Sequence, residues 1–231
     1  YCHQKAPTLS QKFVLELQFM TSDLNLKKLK KIKSQFFGTV VIVSKKRSPE
    51  EILFYYKNGH RDFGENRVEE LITKKELLPA DINWHFVGNL QTKKVKKIFD
   101  KVYLIHSLDS IKLADQLDKR ASYEDITINC LVQVKIAKEA TKSGITFEML
   151  ENFLLHCEKL ENINIIGLMG MGTNTDDLKL VSSEFDKLNH FFNTFKGKYN
   201  LNYLSMGMSN DYKIAIKSGS NMLRIGSLLF E

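Results

Sequence analysis

From Thr39 onward the chain alternates eight short apolar segments with longer helical patterns, and few folds accept that order. The candidate strands are Thr39–Ser44, Arg61–Gly64, Asn83–Val87, Val102–His106, Thr127–Lys135, Asn164–Met169, Tyr203–Met206 and Met222–Gly226. Helical patterns begin near Pro49, Glu65, Leu90, Asp109, Phe147, Asp177 and Ser209, and an opening helix is predicted from Thr21 to Gln35. In the Asp177 segment, Leu178, Val181, Phe185, Leu188 and Phe192 recur at helical spacing, which suits packing against a sheet. Strands that alternate with helices, with no internal linker and only three prolines, predict an α/β fold: a single (β/α)8 TIM-type barrel with an additional N-terminal helix. Residues 1–20 show no clear period and are set apart as an N-terminal segment, leaving 21–231 as the barrel domain. The rival, an open doubly wound sheet, would call for a dinucleotide signature. Gly167, Gly170 and Gly172 have the wrong spacing for one.

Composition narrows the function classes. With 231 residues and 43% hydrophobic content the chain can bury a substantial core. No run approaches a membrane span and no secretory pattern opens the chain. Cys2, Cys130 and Cys157 lack metal-ligand or CxxC spacing, and the six histidines show no metal pattern. A reducing, cytoplasmic setting is therefore expected. The net charge of +7 raises nucleic acid as a partner. Its lysines cluster at residues 27–33 and 93–97, above Leu26, Leu29 and Ile32 and above Val95, Ile98 and Phe99. Those are the solvated faces of amphipathic helices, without interleaved aromatics for base stacking. Neither nucleic acid nor membrane is an expected partner.

In such a barrel the working face lies at the carboxyl ends of the strands. Lys45 follows the apolar run Val40–Val43 into Ser44-Lys45-Lys46-Arg47. A lysine leaving a buried strand can hold its amine in a dry pocket, where desolvation frees the lone pair for a carbonyl. Alone, the same pattern equally describes a solvated surface lysine. At the other end, Ser209 is read as the N-cap of the last internal helix, with Gly219 as its C′ residue. With Gly226 and Ser227 it offers hydroxyls and amides where barrels often hold phosphates. Arg224 interrupts an apolar strand, so a carboxylate or a ligand must satisfy it. Asn66 sits at the exit of the second strand. His85, between Trp84 and Phe86, reads equally as a core histidine.

The motifs Val43-Ser44-Lys45, Arg61 to Asn66, Trp84 to Gly88 and Ile105 to Ser110 occur in one order with Lys142-Ser143-Gly144, Gly167-Leu168-Met169, Ser205 to Asp211 and Met222 to Phe230. This ordered set resembles the pyridoxal 5′-phosphate (PLP) homeostasis protein family, which shares its barrel with the amino-terminal domain of alanine racemases. The likeness runs from about Val40 to Phe230. It implies that Lys45 forms the internal aldimine and that Arg224 faces the pyridine nitrogen. Ser209, Gly226 and Ser227 would cradle the phosphate, and Asn66 would line the site. It implies a carrier that regulates free PLP, with no established catalytic reaction, PLP-dependent apoenzymes as recipients, and a monomer or at most a weak dimer. Lys46, Arg67 and Asn89 depart from the family's usual threonine, tyrosine and histidine or proline, and Met171 to Asn174 replace a loop that usually contains proline. These changes bear on the pocket rim.

An arginine opposite the ring nitrogen leaves that nitrogen neutral and weakens the electron sink. Five positions follow Gly226, and the expectation is that no second domain supplies an opposing base. The alternatives are a small PLP-dependent racemase using His85 or Tyr203 as base, a Schiff-base aldolase without PLP, and a lysine-rich nucleic-acid module. Turnover, colourless purified protein and salt-dependent binding would respectively favour them.

Overall fold

The computed structural model describes residues 23–137 and 143–231. The N-terminal segment 1–20 and the predicted start of the first helix lie outside them. Eight parallel strands close into a barrel in chain order. They are β1 (Thr39–Val43), β2 (Asp62–Glu65), β3 (Asn83–Phe86), β4 (Leu104–Leu108), β5 (Ile128–Val134), β6 (Ile163–Gly170), β7 (Tyr203–Ser205) and β8 (Met222–Ile225). The barrel closes through β1 and β8, with Thr39 opposite Met222 and Ile42 opposite Ile225. Helix α1 covers 23–35. Around the barrel follow α2 (Pro49–Lys57), α3 (Val68–Leu77), the short α4 (Val95–Ile98) after a 3₁₀ turn, α5 (Ile111–Tyr123), α6 (Phe147–Cys157), α7 (Leu178–Phe195), α8 (Tyr212–Lys217) and α9 (Ser227–Phe230). No described helix is long and apolar enough to cross a membrane.

Strand alternation sorts the side chains into two shells. Val40, Ile42, Phe63, Trp84, Phe86, Leu204 and Leu223 point outward into the layer beneath the helices. Val41, Leu104, Leu131, Met169 and Met222 form a separate cluster inside the barrel. Each such large side chain, fully buried, contributes about 1.5–3 kcal/mol of hydrophobic stabilisation. On α7, Val181, Phe185, Leu188 and Phe192 are buried as their spacing predicts, and the Asp177 carboxylate caps the helix by accepting from the amides of Lys179 and Leu180 at 3.0 and 3.1 Å. The lysine-rich stretches lie as amphipathic helices should. Leu29, Ile32, Val95 and Ile98 are buried, while Lys27, Lys30, Lys31, Lys93, Lys96 and Lys97 are exposed.

One boundary differs in a way that matters. The last internal helix begins at Tyr212 with Asp211 as its N-cap, not at Ser209. Gly219 does end it, in the left-handed conformation expected of a C′ glycine (φ 86°). Between Ser205 and Asp211 the chain turns through Gly207, at φ 96°. A Cβ at that position would lie 2.5 Å from the Ala215 Cβ, so only glycine fits the turn.

Candidate functional site

A cavity of about 530 Å³ opens at the carboxyl ends of β1, β6, β7 and β8. Its wall includes Lys45, Ser209, Arg224, Gly226 and Ser227, drawn from three strand exits far apart in sequence, together with the loop from Met171 to Asp176. Asn66 is exposed and is not part of that wall. Its backbone instead packs on Gly88, where any Cβ would come within 2.2 Å of the Asn66 carbonyl oxygen.

Ser209 owes its position to tertiary contacts rather than to a helix cap. Its hydroxyl oxygen accepts the amide N–H of Gly226 at 3.3 Å and that of Leu228 at 3.2 Å. Two backbone donors from the turn after β8 thus converge on one oxygen at the cavity wall. At Gly226 a Cβ would meet the Val43 carbonyl oxygen at 3.4 Å, an ordinary contact. Packing on the protein side therefore does not demand glycine there.

Arg224, third residue of β8, points inward and is 4% exposed. Its guanidinium donates to the Ser205 hydroxyl at 2.7 Å and to the Gly170 carbonyl at 2.9 Å. Neither partner is an anion, so no carboxylate neutralises it directly. Burial lowers its pKa to about 10, with Asp211 opposing the shift, and it stays cationic at neutral pH. Over the cavity, Glu184 of α7 accepts both the amide and the hydroxyl of Thr173, at 2.7 and 2.6 Å. A helix carboxylate thereby pins the loop that follows β6.

Lys45 occupies a turn immediately after β1 and is exposed at the cavity mouth. The desolvated amine expected from the sequence is not what the fold builds, because the lysine stands one residue beyond the last buried position, Ser44. Beneath it lies a charged cluster that strand and helix periodicity did not reveal. The Glu65 carboxylate, wholly buried at the end of β2, accepts from the Ser44 hydroxyl at 2.6 Å and from the Lys74 ammonium at 2.7 Å. Lys74 also donates to the Ser44 carbonyl at 2.8 Å. Burial, outweighing Lys74 and Ser44, raises the Glu65 pKa above the usual carboxylate range. The sequence signal that would have found this cluster is a glutamate closing a short strand, directly after Phe63-Gly64, with a lysine on the helix that follows.

The cavity chemistry fits an anionic, aldehyde-bearing pyridine. It offers a primary amine, a cationic donor fixed from behind, and the Ser209 and Ser227 hydroxyls for a phosphate. A parallel barrel with these groups at strand exits defines a class, and the family model described as "Alanine racemase, N-terminal domain" matches residues 25–231. The pyridoxal phosphate homeostasis protein of Aquifex aeolicus is 41% identical over 190 residues, covering 81% of this chain and 83% of its own length. That of Helicobacter pylori is 42% identical over 195 residues, covering 83% and 86%. This chain belongs to the pyridoxal phosphate homeostasis protein family. Among solved structures, PipY of Synechococcus elongatus is similar at 31% identity both without PLP (TM-score 0.84, 89% of this chain and 99% of that one) and with PLP bound (TM-score 0.82, 90% and 100%). The alanine racemase of Clostridium difficile 630 shares the fold at TM-score 0.76 and 14% identity, over 90% of this chain and 56% of that one.

Proposed function

We propose that this protein binds PLP and carries it within a homeostatic pool, without turning over amino acids. The observation that carries the reading is that one cavity gathers Lys45, Arg224, Ser209, Gly226 and Ser227. PLP, when bound, supplies an aldehyde that a primary amine captures and a ring that can stabilise negative charge. Lys45 supplies the amine at the mouth. Ser209 and Ser227 would hold the phosphate through their hydroxyls, with Gly226 placing no side chain between them and its amide holding the Ser209 oxygen in place. Arg224 would donate to the ring nitrogen, with Ser205 and Gly170 keeping its fork in place. Asn66 contributes at the rim, from outside the wall.

The racemase alternative asks for a second proton-transfer group at the cavity. Among the described residues, those lining the wall include no histidine or tyrosine. His85 is sealed inside the barrel, and Tyr203 begins β7 at the opposite end from the cavity. Both therefore lack access to the reacting face. PLP-dependent apoenzymes are the recipients this reading implies, and transfer from a monomer would keep the mouth open.

The test is to load the purified protein with PLP, record its visible absorbance, reduce with borohydride and map the peptides. The expected result is a band lost on reduction and a pyridoxyl adduct on Lys45. Lys45→Ala should lose the band and keep the fold by circular dichroism. An adduct chiefly on Lys46, or no band at all, overturns the assignment.

A further inference from the structure

An unbroken line of polar side chains crosses the inside of the barrel and ends on Arg224. Asp62, first residue of β2, lies at the amino-terminal mouth with its side chain 26% exposed. Its Oδ1 is 3.3 Å from Nε2 of His85 on β3. His85 Nδ1 is 2.9 Å from Nε2 of His106 on β4, and His106 Nδ1 is 3.3 Å from the hydroxyl of Ser205 on β7. Ser205 in turn accepts from Arg224 Nη1 at 2.7 Å. Both histidines and Ser205 are fully buried. A buried pair of imidazoles in an otherwise apolar interior costs free energy unless every nitrogen is matched.

The two ends fix the order of the protons. Arginine only donates, so Ser205 accepts from Arg224 and its own hydroxyl hydrogen is left for His106 Nδ1. His106 then carries its proton on Nε2 and gives it to His85 Nδ1. His85 carries its proton on Nε2 and gives it to Asp62. Asp62 is fit to receive it, since a carboxylate only accepts, and its Oδ1 also takes the Asn83 side-chain amide at 3.1 Å. The opposite order would set a bare His85 nitrogen against a carboxylate. A charged His106 is disfavoured as well, since burial, His85 and Arg224 push its pKa well below the ordinary value.

We infer that Asp62, His85, His106 and Ser205 are positioning residues, forming a one-way hydrogen-bond chain, with both histidines neutral and protonated on Nε2, that sets how strongly Arg224 donates into the cavity. Aligned hydrogen bonds polarise one another, so an anion at the far mouth makes the Ser205 oxygen a better acceptor. A guanidinium drawn toward Ser205 has less to give on its other side. The coupling to a bound cofactor rests on the PLP reading above; the order of protons does not.

The experiment has two arms. In the first, the protein without added PLP is labelled with 15N-histidine, and the tautomers of His85 and His106 are read by NMR, assigned by His85→Gln and His106→Leu. Two neutral Nε2–H rings at pH 7 are expected; an Nδ1–H or a charged ring at either position overturns the chain. In the second, PLP labelled with 15N at the pyridine nitrogen is bound to wild type, Asp62→Asn and His106→Leu. The ring resonance is expected to move in the same sense in both variants, since both weaken the pull on Ser205. A resonance unmoved in Asp62→Asn, which preserves size and sits at a partly exposed site, overturns the coupling even if His106→Leu fails to fold. If wild type takes up no PLP, the functional reading fails while the first arm still decides the chain.

Discussion

The Lys74 ammonium lies 2.8 Å from the carbonyl oxygen of Ser44, the residue that immediately precedes Lys45. The exit of β1 is therefore anchored twice, from α3 and by its own turn, where the Arg47 amide donates to the same carbonyl at 3.0 Å and Lys46 adopts a left-handed φ of 62°. The same ammonium neutralises the buried Glu65, so one side chain both shapes the amine-bearing turn and makes a buried carboxylate tolerable.

Lys74→Met is expected to be severely destabilising, by about 3–5 kcal/mol, because it leaves the buried Glu65 carboxylate without its counter-ion. Adding Glu65→Gln should recover part of that loss, since glutamine still accepts from the Ser44 hydroxyl. Chemical denaturation of the two variants checks this. The single variant should also recover as pH falls. Glu65 already has a raised pKa in the fold, so its protonated form is favoured there, and stability is greatest below the unfolded carboxylate pKa and lost as pH rises through the folded one.

Ser209→Ala removes the oxygen on which the Gly226 and Leu228 amides converge. The fold should lose only about 0.5–1.5 kcal/mol. PLP binding should weaken by roughly tenfold or more, the value of one charge-assisted hydrogen bond. Pyridoxal, lacking the phosphate, should bind wild type far more weakly than PLP and be little affected by the substitution. Titration of both ligands against both proteins measures this, and equal affinities for PLP and pyridoxal in wild type would remove the phosphate assignment.

These contacts also show what the sequence made legible. All eight strands are visible in it because a parallel barrel buries both faces of each strand, and helices separate them at regular intervals. Ser209 reads locally as a helix cap, a serine a few residues ahead of the helical run Tyr212 to Lys217. Its real partners come 17 and 19 residues later, after another helix and strand. The Glu65–Lys74 pair joins a strand to its following helix at a separation of nine residues, which neither helical nor strand period marks. Asn66 shows the converse. Its motif is plain in the sequence, yet the backbone turns it outward beside Gly88.

His60 provides an acid sensitivity. It is 3% exposed, and burial together with nearby Lys33 lowers its pKa to about 4. The unfolded chain takes this proton near the ordinary value of 6.5, while the folded protein refuses it until about 4. The unfolded state therefore binds more protons between those limits. Stability is complete above the upper one and falls as pH is lowered toward the lower one. His106, also depressed, acts in the same direction. Urea midpoints at pH 7 and near 4.5 should show wild type losing about 2–3 kcal/mol more than His60→Phe over that interval.

The last expectation concerns chemistry. Among the described residues, the titratable groups in the cavity wall are Lys45, Asp176, Asp211 and Arg224. Arg224 remains a donor and never an acceptor. A pyridine nitrogen set against it, as proposed above, would stay neutral, and the electron sink that carbanion chemistry needs would be weak. Enzymes typically turn over at about 1–10³ per second. PLP-loaded protein incubated with single-enantiomer amino acids should racemise, decarboxylate or transaminate them far more slowly than that, while releasing PLP to a recipient apoenzyme. Chiral chromatography and keto-acid assays follow the first, and activation of the apoenzyme follows the second. Turnover in the enzymatic range that is lost in Lys45→Ala and in either Asp176→Asn or Asp211→Asn would identify the second proton-transfer group and replace the carrier with an enzyme.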